Sequence, residues 1–145
     1  CDAQPTLDLL VLESPQTLRT ADYHRIPRQA GLHAGAPALK RAWEKVQEAC
    51  MTQSPYRLGE AATLSAIASQ TLLPKPDFDD LLSLVEECGI YGVNVAHSGS
   101  VVGLMLDRNK DDVDYVKWLL AKKQLTRHWP EQHLLRMVKG GVTLL

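Results

Sequence analysis

GVNVAHSGSVVGLML, residues 92–106, is the stretch on which the reading of this chain turns. Val93 and Val95 open it, and Val101, Val102, Leu104, Met105 and Leu106 close it. β-Branched and apolar residues on both sides of a Ser/Gly cluster predict two short strands joined by a tight loop. The loop holds Ala96, His97, Ser98, Gly99 and Ser100. Gly99 allows close backbone approach, and N–H groups with two hydroxyls in such a turn form a concavity suited to an anion such as phosphate. An ordinary hairpin turn accounts for the same residues, so the rest of the chain has to separate the two readings.

Outward from the hairpin, the signals are mostly helical. Asp77 has the character of an N-cap, Asp79 and Asp80 favour a first turn, and Gly89 suits the C′ position. Phe78, Leu81, Leu82, Val85 and Cys88 share one stripe of this helix, which feeds directly into the hairpin. Before it, a helix is predicted from about Arg57 to Leu72, apolar on two faces and therefore packed between neighbours. Gly59 in its first turn has no propensity reason to be there and marks either a close contact or an incidental glycine. An earlier helix is expected from Ala36-Pro37, with Leu39, Ala42, Trp43, Val46 and Cys50 facing the core. Leu7 to Glu13 reads as a buried strand. Gln16 to Leu32 shows no period and carries Arg19, Thr20, Asp22, Tyr23, His24, Arg25 and Arg28; it is either a solvated connection or a functional loop.

After the hairpin, Asp111 to Lys123 predicts a helix with acids early and lysines late. Thr126 to Gln132 reads as a proline-containing turn. Leu134 to Val138 and Val142 to Leu145 supply closing strand material on either side of Gly140-Gly141. The order β-α-α-α-β-β-α-β predicts a single α+β domain over residues 1–145. It has two layers, a small, mostly antiparallel sheet with helices packed on one face. Residues 90–95 and 101–106 are expected as neighbouring strands near the middle of that sheet.

Composition excludes several classes. A formal net charge of −1 leaves no nucleic-acid footprint, and no apolar run is long enough to span a bilayer. Cys1, Cys50 and Cys88 are an odd number without a close pair, which fits a cytoplasmic protein better than a disulfide framework. No CxxC or HExxH occurs, and His128 and His133 lack a third ligand, so no metal site is predicted. The chain begins without Met or a signal-peptide pattern, and is expected to be processed or a piece of something longer.

Four separated segments now carry a resemblance. VNVAHSGSVVGLMLD after the helix LLSLVEECG resembles the third motif of the galactokinase, homoserine kinase, mevalonate kinase and phosphomevalonate kinase superfamily. YRLGEAATLSAIASQTLL resembles the helix that precedes it. LVLESPQTLRTADYHRIPR, LGEAATLSAIASQ, NVAHSGSVVGLML and KKQLTRHWP together resemble, in order, the C-terminal half of the bacterial L-threonine kinases of coenzyme B12 synthesis. One departure stands out: the superfamily loop usually carries a run of glycines, whereas only Gly99 lies between Ala96 and Val102 here.

The resemblance implies transfer of the γ-phosphoryl group of ATP to the hydroxyl of L-threonine. It implies His97, Ser98, Gly99 and Ser100 on the substrate or phosphate side; Asn94, Arg19, Thr20 and Asp22 are further candidates, as polar groups beside the expected cleft or in a loop that could approach it. It also implies that ATP and Mg2+ are bound mainly by an N-terminal domain outside this chain, which acts as its partner. No PxGxGxxSS-like loop, GxxxxGK[ST] or GxGxxG occurs, so no catalytic residue is assigned in this chain and it is expected to be inactive alone. The residues by themselves leave a second reading open, a non-catalytic small-ligand-binding or regulatory α+β module.

Overall fold

The computed structural model describes residues 6–15, 25, 27–96 and 100–138. Strand β1 (Leu7–Glu13) is followed by helices α1 (Gln29–Thr52), α2 (Pro55–Ser69) and α3 (Phe78–Cys88). The predicted hairpin is present as β2 (Gly92–Val95) and β3 (Val101–Asp107). Helix α4 (Val113–Lys122), a short 3-10 turn (Leu125–Arg127) and β4 (Glu131–Arg136) complete the described elements. The α+β class and the predicted element order hold. Leaving out α1 and α2, the β-α-β-β-α-β succession and the sheet order β2-β3-β1-β4 follow the ferredoxin-like plan, with every pair antiparallel. Strand β3 lies inside the sheet as expected, but β2 is an edge strand rather than a central one.

Period-two alternation sets the two faces of the sheet. Leu10, Leu12, Val93, Val102, Leu104 and Leu106 point to one face and are buried against Phe78, Leu81 and Leu84 of α3 and Val116, Leu119 and Leu120 of α4. Each such side chain contributes roughly 1.5–3 kcal/mol by leaving water. This is the main core, and α3 and α4 are its helical layer. Leu7, Leu9, Gly103 and Met105 point to the opposite face. Arg108 fastens one end of the sheet: its guanidinium donates to the Asp8 carboxylate at 2.6 and 2.8 Å and to the Leu7 and Met137 carbonyls at 3.3 Å.

Helix α1 begins at Gln29, about two turns before Pro37, which lies inside it. Its early turns pack on α2: a β-carbon at Gly31 would overlap Leu72, and Gly35 sits close to Ala68. That contact outweighs the proline signal, which costs one backbone bond. The buried seam of α1 is Gly35, Ala42 and Ala49, because only small residues let the helices approach closely. Trp43 therefore stands on the flank, 63% exposed, and Cys50 is exposed too, contrary to the predicted core stripe.

The first turn of α2 is capped by Ser54, whose Oγ accepts the Arg57 N–H at 3.3 Å. The glycine that propensity left unexplained is required here. A β-carbon at Gly59 would overlap the Tyr91 carbonyl, and one at Gly92 would overlap Gly59. Helix α2 thus lies directly against the β2 edge. Thr63 Oγ accepts the outward Val93 N–H at 3.1 Å and donates to the Gly59 carbonyl at 2.9 Å.

Asp77 does not cap α3. It adopts the left-handed conformation, φ 52°, and makes no side-chain cap bond; its carboxylate instead lies 2.5 Å from His128 Nδ1. Gly89 closes the helix with φ 64°, as predicted. In α4 the capping carboxylate is Asp112, accepting from Asp114 N–H at 2.9 Å and Tyr115 N–H at 3.2 Å. Strand β4 starts at Glu131, inside the stretch read as a turn; Val142 to Leu145 lie outside the described residues.

Candidate functional site

The stem of the β2–β3 loop is built by backbone bonds. Ala96 N–H donates to the Val101 carbonyl at 3.1 Å, and Ser14 N–H donates to the Ser100 carbonyl at 2.8 Å. The second bond ties Ser100 to the end of β1, beside Ser14. Of the predicted site residues, Asn94 and Ser100 are described. His97, Ser98, Gly99, Arg19, Thr20 and Asp22 lie outside the described residues.

Asn94 and Ser100 share this end of the sheet. Asn94 is in register with Gly103, Gly103 with Val11, and Val11 with His133, which forms one cross-strand row. The Asn94 side chain rests on Gly103, where a β-carbon would overlap its Oδ1. A glycine inside an otherwise apolar strand signals such an approach, and the sequence reading passed over it. His133 Nε2 lies 3.9 Å from the Glu13 carboxylate, both about half exposed. Asn94, Ser100, Glu13 and His133 thus form a polar rim at the loop end of the sheet.

Beyond the rim, the same face becomes apolar. A groove of about 440 Å³ runs between the sheet and the α1–α2 pair, lined by Leu7, Leu9, Met105 and Met137 below and by Leu39, Trp43, Val46 and Leu58 above. Asn94 and Ser65 are its polar members. Trp43 is therefore a groove wall. Its position at the flank of the small-residue seam is the signal that could have shown this.

Titratable groups with displaced pKa values lie elsewhere. Burial, and then the hydrogen bond it donates to Asp107 at 2.7 Å, raises the Tyr91 phenol above its usual range. That bond, and the Asn109 N–H, hold Asp107 below the usual carboxylate range, while burial raises Asp111. Asp111 accepts the Asp107 N–H at 2.7 Å, so this trio shapes the turn between β3 and α4. Burial lowers Lys75 and raises Cys88. Among the described residues no group of three or more His, Cys, Asp or Glu could hold a metal ion.

The family described as GHMP kinases, C terminal, matches residues 36–118, which includes α2, α3, β2, the loop and β3. The chain belongs to the GHMP kinase C-terminal family. It is 82% identical over 144 residues to an L-threonine kinase of Citrobacter freundii and 70% identical to an L-threonine kinase of Salmonella typhimurium LT2. Those alignments cover 99% of this chain and 50% and 48% of the relatives, so the chain spans about half the length of the curated relatives it matches. In fold it is similar to homoserine kinase from Cytophaga hutchinsonii, with a TM-score of 0.64 and 14% identity, over 95% of this chain and 44% of that one. A protein solved with MVAPP, AMPPCP and magnesium gives a TM-score of 0.57, also at 14% identity, over 91% of this chain and 44% of that one. Among the described residues no helix is long and apolar enough to cross a membrane.

Proposed function

We propose that this chain is the C-terminal half of an ATP-dependent kinase that converts L-threonine to O-phospho-L-threonine for coenzyme B12 synthesis. The observation that carries this reading is the 82% identity to an L-threonine kinase along 99% of the chain. Homoserine and threonine differ by the placement of a methyl or methylene, worth about 1–3 kcal/mol in an apolar pocket. The acceptor is therefore inferred from the relatives rather than from groove chemistry.

In this reading the threonine hydroxyl oxygen bonds to the γ-phosphorus as the bond to the β–γ bridging oxygen breaks, ADP leaves and the hydroxyl proton is given up. Such chemistry draws its rate from positioning and charge stabilisation. The nucleotide and Mg2+ belong mainly to the N-terminal half, which closes against this one in the cytoplasm. This chain's own part is the β2–β3 loop: His97, Ser98, Gly99 and Ser100 border the phosphate side, and Asn94 on Gly103 marks the start of the groove. Arg19, Thr20 and Asp22, in the sequence between β1 and α1, are the further candidates.

The test is steady-state kinetics of the full-length enzyme with L-threonine, and then of its His97→Ala and Ser98→Ala variants. Losing a donor to developing charge costs about 2.7–4 kcal/mol of barrier, or 10²–10³ in kcat. Full-length enzyme that leaves threonine unphosphorylated would overturn the reading. Unchanged kinetics in both variants would reduce the loop to a turn. Stoichiometric threonine binding without ATP would favour the regulatory module.

A further inference from the structure

We propose that Glu13 receives the ammonium group of the amino-acid acceptor and so selects an α-amino acid over uncharged small alcohols; this assignment rests on the kinase reading above. An amino-acid acceptor brings a positive charge into the cleft, and a site that prefers it needs an anionic hydrogen-bond acceptor within reach of the reacting hydroxyl. Glu13 is the last residue of β1 and lies opposite Val101, the first residue of β3. Val101 directly follows Ser100, so Glu13 stands one cross-strand step from the loop that borders the phosphate side. It shares the parity of Leu7 and Leu9, which puts its side chain on the groove face of the sheet.

Two features of the rim point to a cation beside Glu13. The first is a charge conflict. Glu131 of β4 lies directly opposite Glu13, and like charges in that position cost stability. Among the described residues the one ion-pair partner of Glu13 is His133, at 3.9 Å, too far for a hydrogen bond. Sequences retain such local conflicts at functional sites. The second feature is the seat of Asn94. Its Oδ1 occupies the space that a β-carbon on Gly103 would fill, so the amide is carried from the β2 edge over β3. Gly103 is opposite Val11, and therefore diagonal to Glu13. No described residue hydrogen-bonds the Asn94 side chain. Diagonal positions lie about 7–8 Å apart, which leaves between the amide oxygen and the carboxylate a gap that one ammonium spans.

Kinetics of the full-length enzyme test this, with L-threonine as substrate and (R)-3-hydroxybutyrate as a competing ligand. The competitor keeps the hydroxyl, methyl and carboxylate of L-threonine and lacks only its ammonium. Glu13→Gln removes the charge and keeps the shape. It is expected to raise KM for L-threonine roughly 10–100-fold with kcat nearly unchanged, as loss of a hydrogen bond to a charged group does. The inhibition constant of (R)-3-hydroxybutyrate is expected to stay the same. Glu131→Gln relieves the same repulsion from farther off and is expected to raise KM less. An unchanged KM in Glu13→Gln overturns the proposal. So does an equal weakening of L-threonine and (R)-3-hydroxybutyrate, which would mean that Glu13 only holds the rim in shape, or a larger effect from Glu131→Gln. A parent enzyme that leaves L-threonine unphosphorylated sinks the kinase reading and the assignment with it, whereas failure of the assignment alone leaves the parent active.

Discussion

The two edges of the sheet are finished in opposite ways. At β2 the outward Val93 N–H is received by Thr63, and Gly59 and Gly92 let α2 press backbone against backbone. At β4 the outward groups of Gln132, Leu134 and Arg136 have no described partner, and two leucines stand half exposed beside them. The first edge is closed by tertiary structure and therefore depends on a few exact fits. The second rests on no such fit among the described residues. An edge must be covered, paired or protected; α2 covers the β2 edge, and no described residue covers the β4 edge.

Substitutions rank along that contrast. Gly59→Ala is expected to be the most damaging, because its β-carbon meets the Tyr91 carbonyl, a backbone atom that cannot rotate away. A loss of about 2–3 kcal/mol, at the upper end for overpacking, should lower the urea midpoint with little change in slope. Little or no loss of stability would mean that α2 stands off the edge. Thr63→Val leaves the Val93 N–H buried without an acceptor, an expected cost of about 1–3 kcal/mol that Thr63→Ser should largely restore. If Thr63→Ser is as unstable as Thr63→Val, the hydroxyl is not what closes the edge.

Asp107 lies at the far end of β3, and its effect carries a pH signature. Because its carboxyl is depressed in the folded state by Tyr91 and Asn109, its stabilisation is present above the unfolded value and is lost as pH falls through the folded one. Asp107→Asn should cost about 1 kcal/mol at neutral pH, and its stability curve should converge with that of the parent in acid. Curves that stay parallel down to low pH would remove Asp107 from that role. At the open edge, Leu134→Lys should change monomer stability by no more than about 0.5 kcal/mol, as surface substitutions do. A larger loss would make β4 as tightly fitted as β2.

The hairpin, the α3 stripe and the closing Gly89 were legible because each rests on local pattern: alternation, helical spacing and a left-handed cap. The start of α1 was not, because packing of Gly31 and Gly35 on α2 overrides a proline whose local meaning is a helix beginning. Trp43 was misplaced for a related reason. Hydrophobic spacing identifies a stripe, but the tight seam went to Gly35, Ala42 and Ala49. Asp77 resembles a cap in sequence, yet its carboxylate is engaged by His128, fifty-one residues away. For the site, Asn94 was legible as a polar residue beside the loop. Its seat on Gly103 was not, since cross-strand register is a property of the sheet.

The division of labour between this half and its N-terminal partner is the claim on which the functional account rests. Purified chain incubated with Mg-ATP and L-threonine tests it directly, with the full-length enzyme run in parallel. The account predicts phosphothreonine from the full-length enzyme and none from the chain alone, because effective concentration is lost when half of the cleft is missing. Phosphothreonine from the chain alone, at roughly 1 per second or faster as in an intact enzyme, would contradict it.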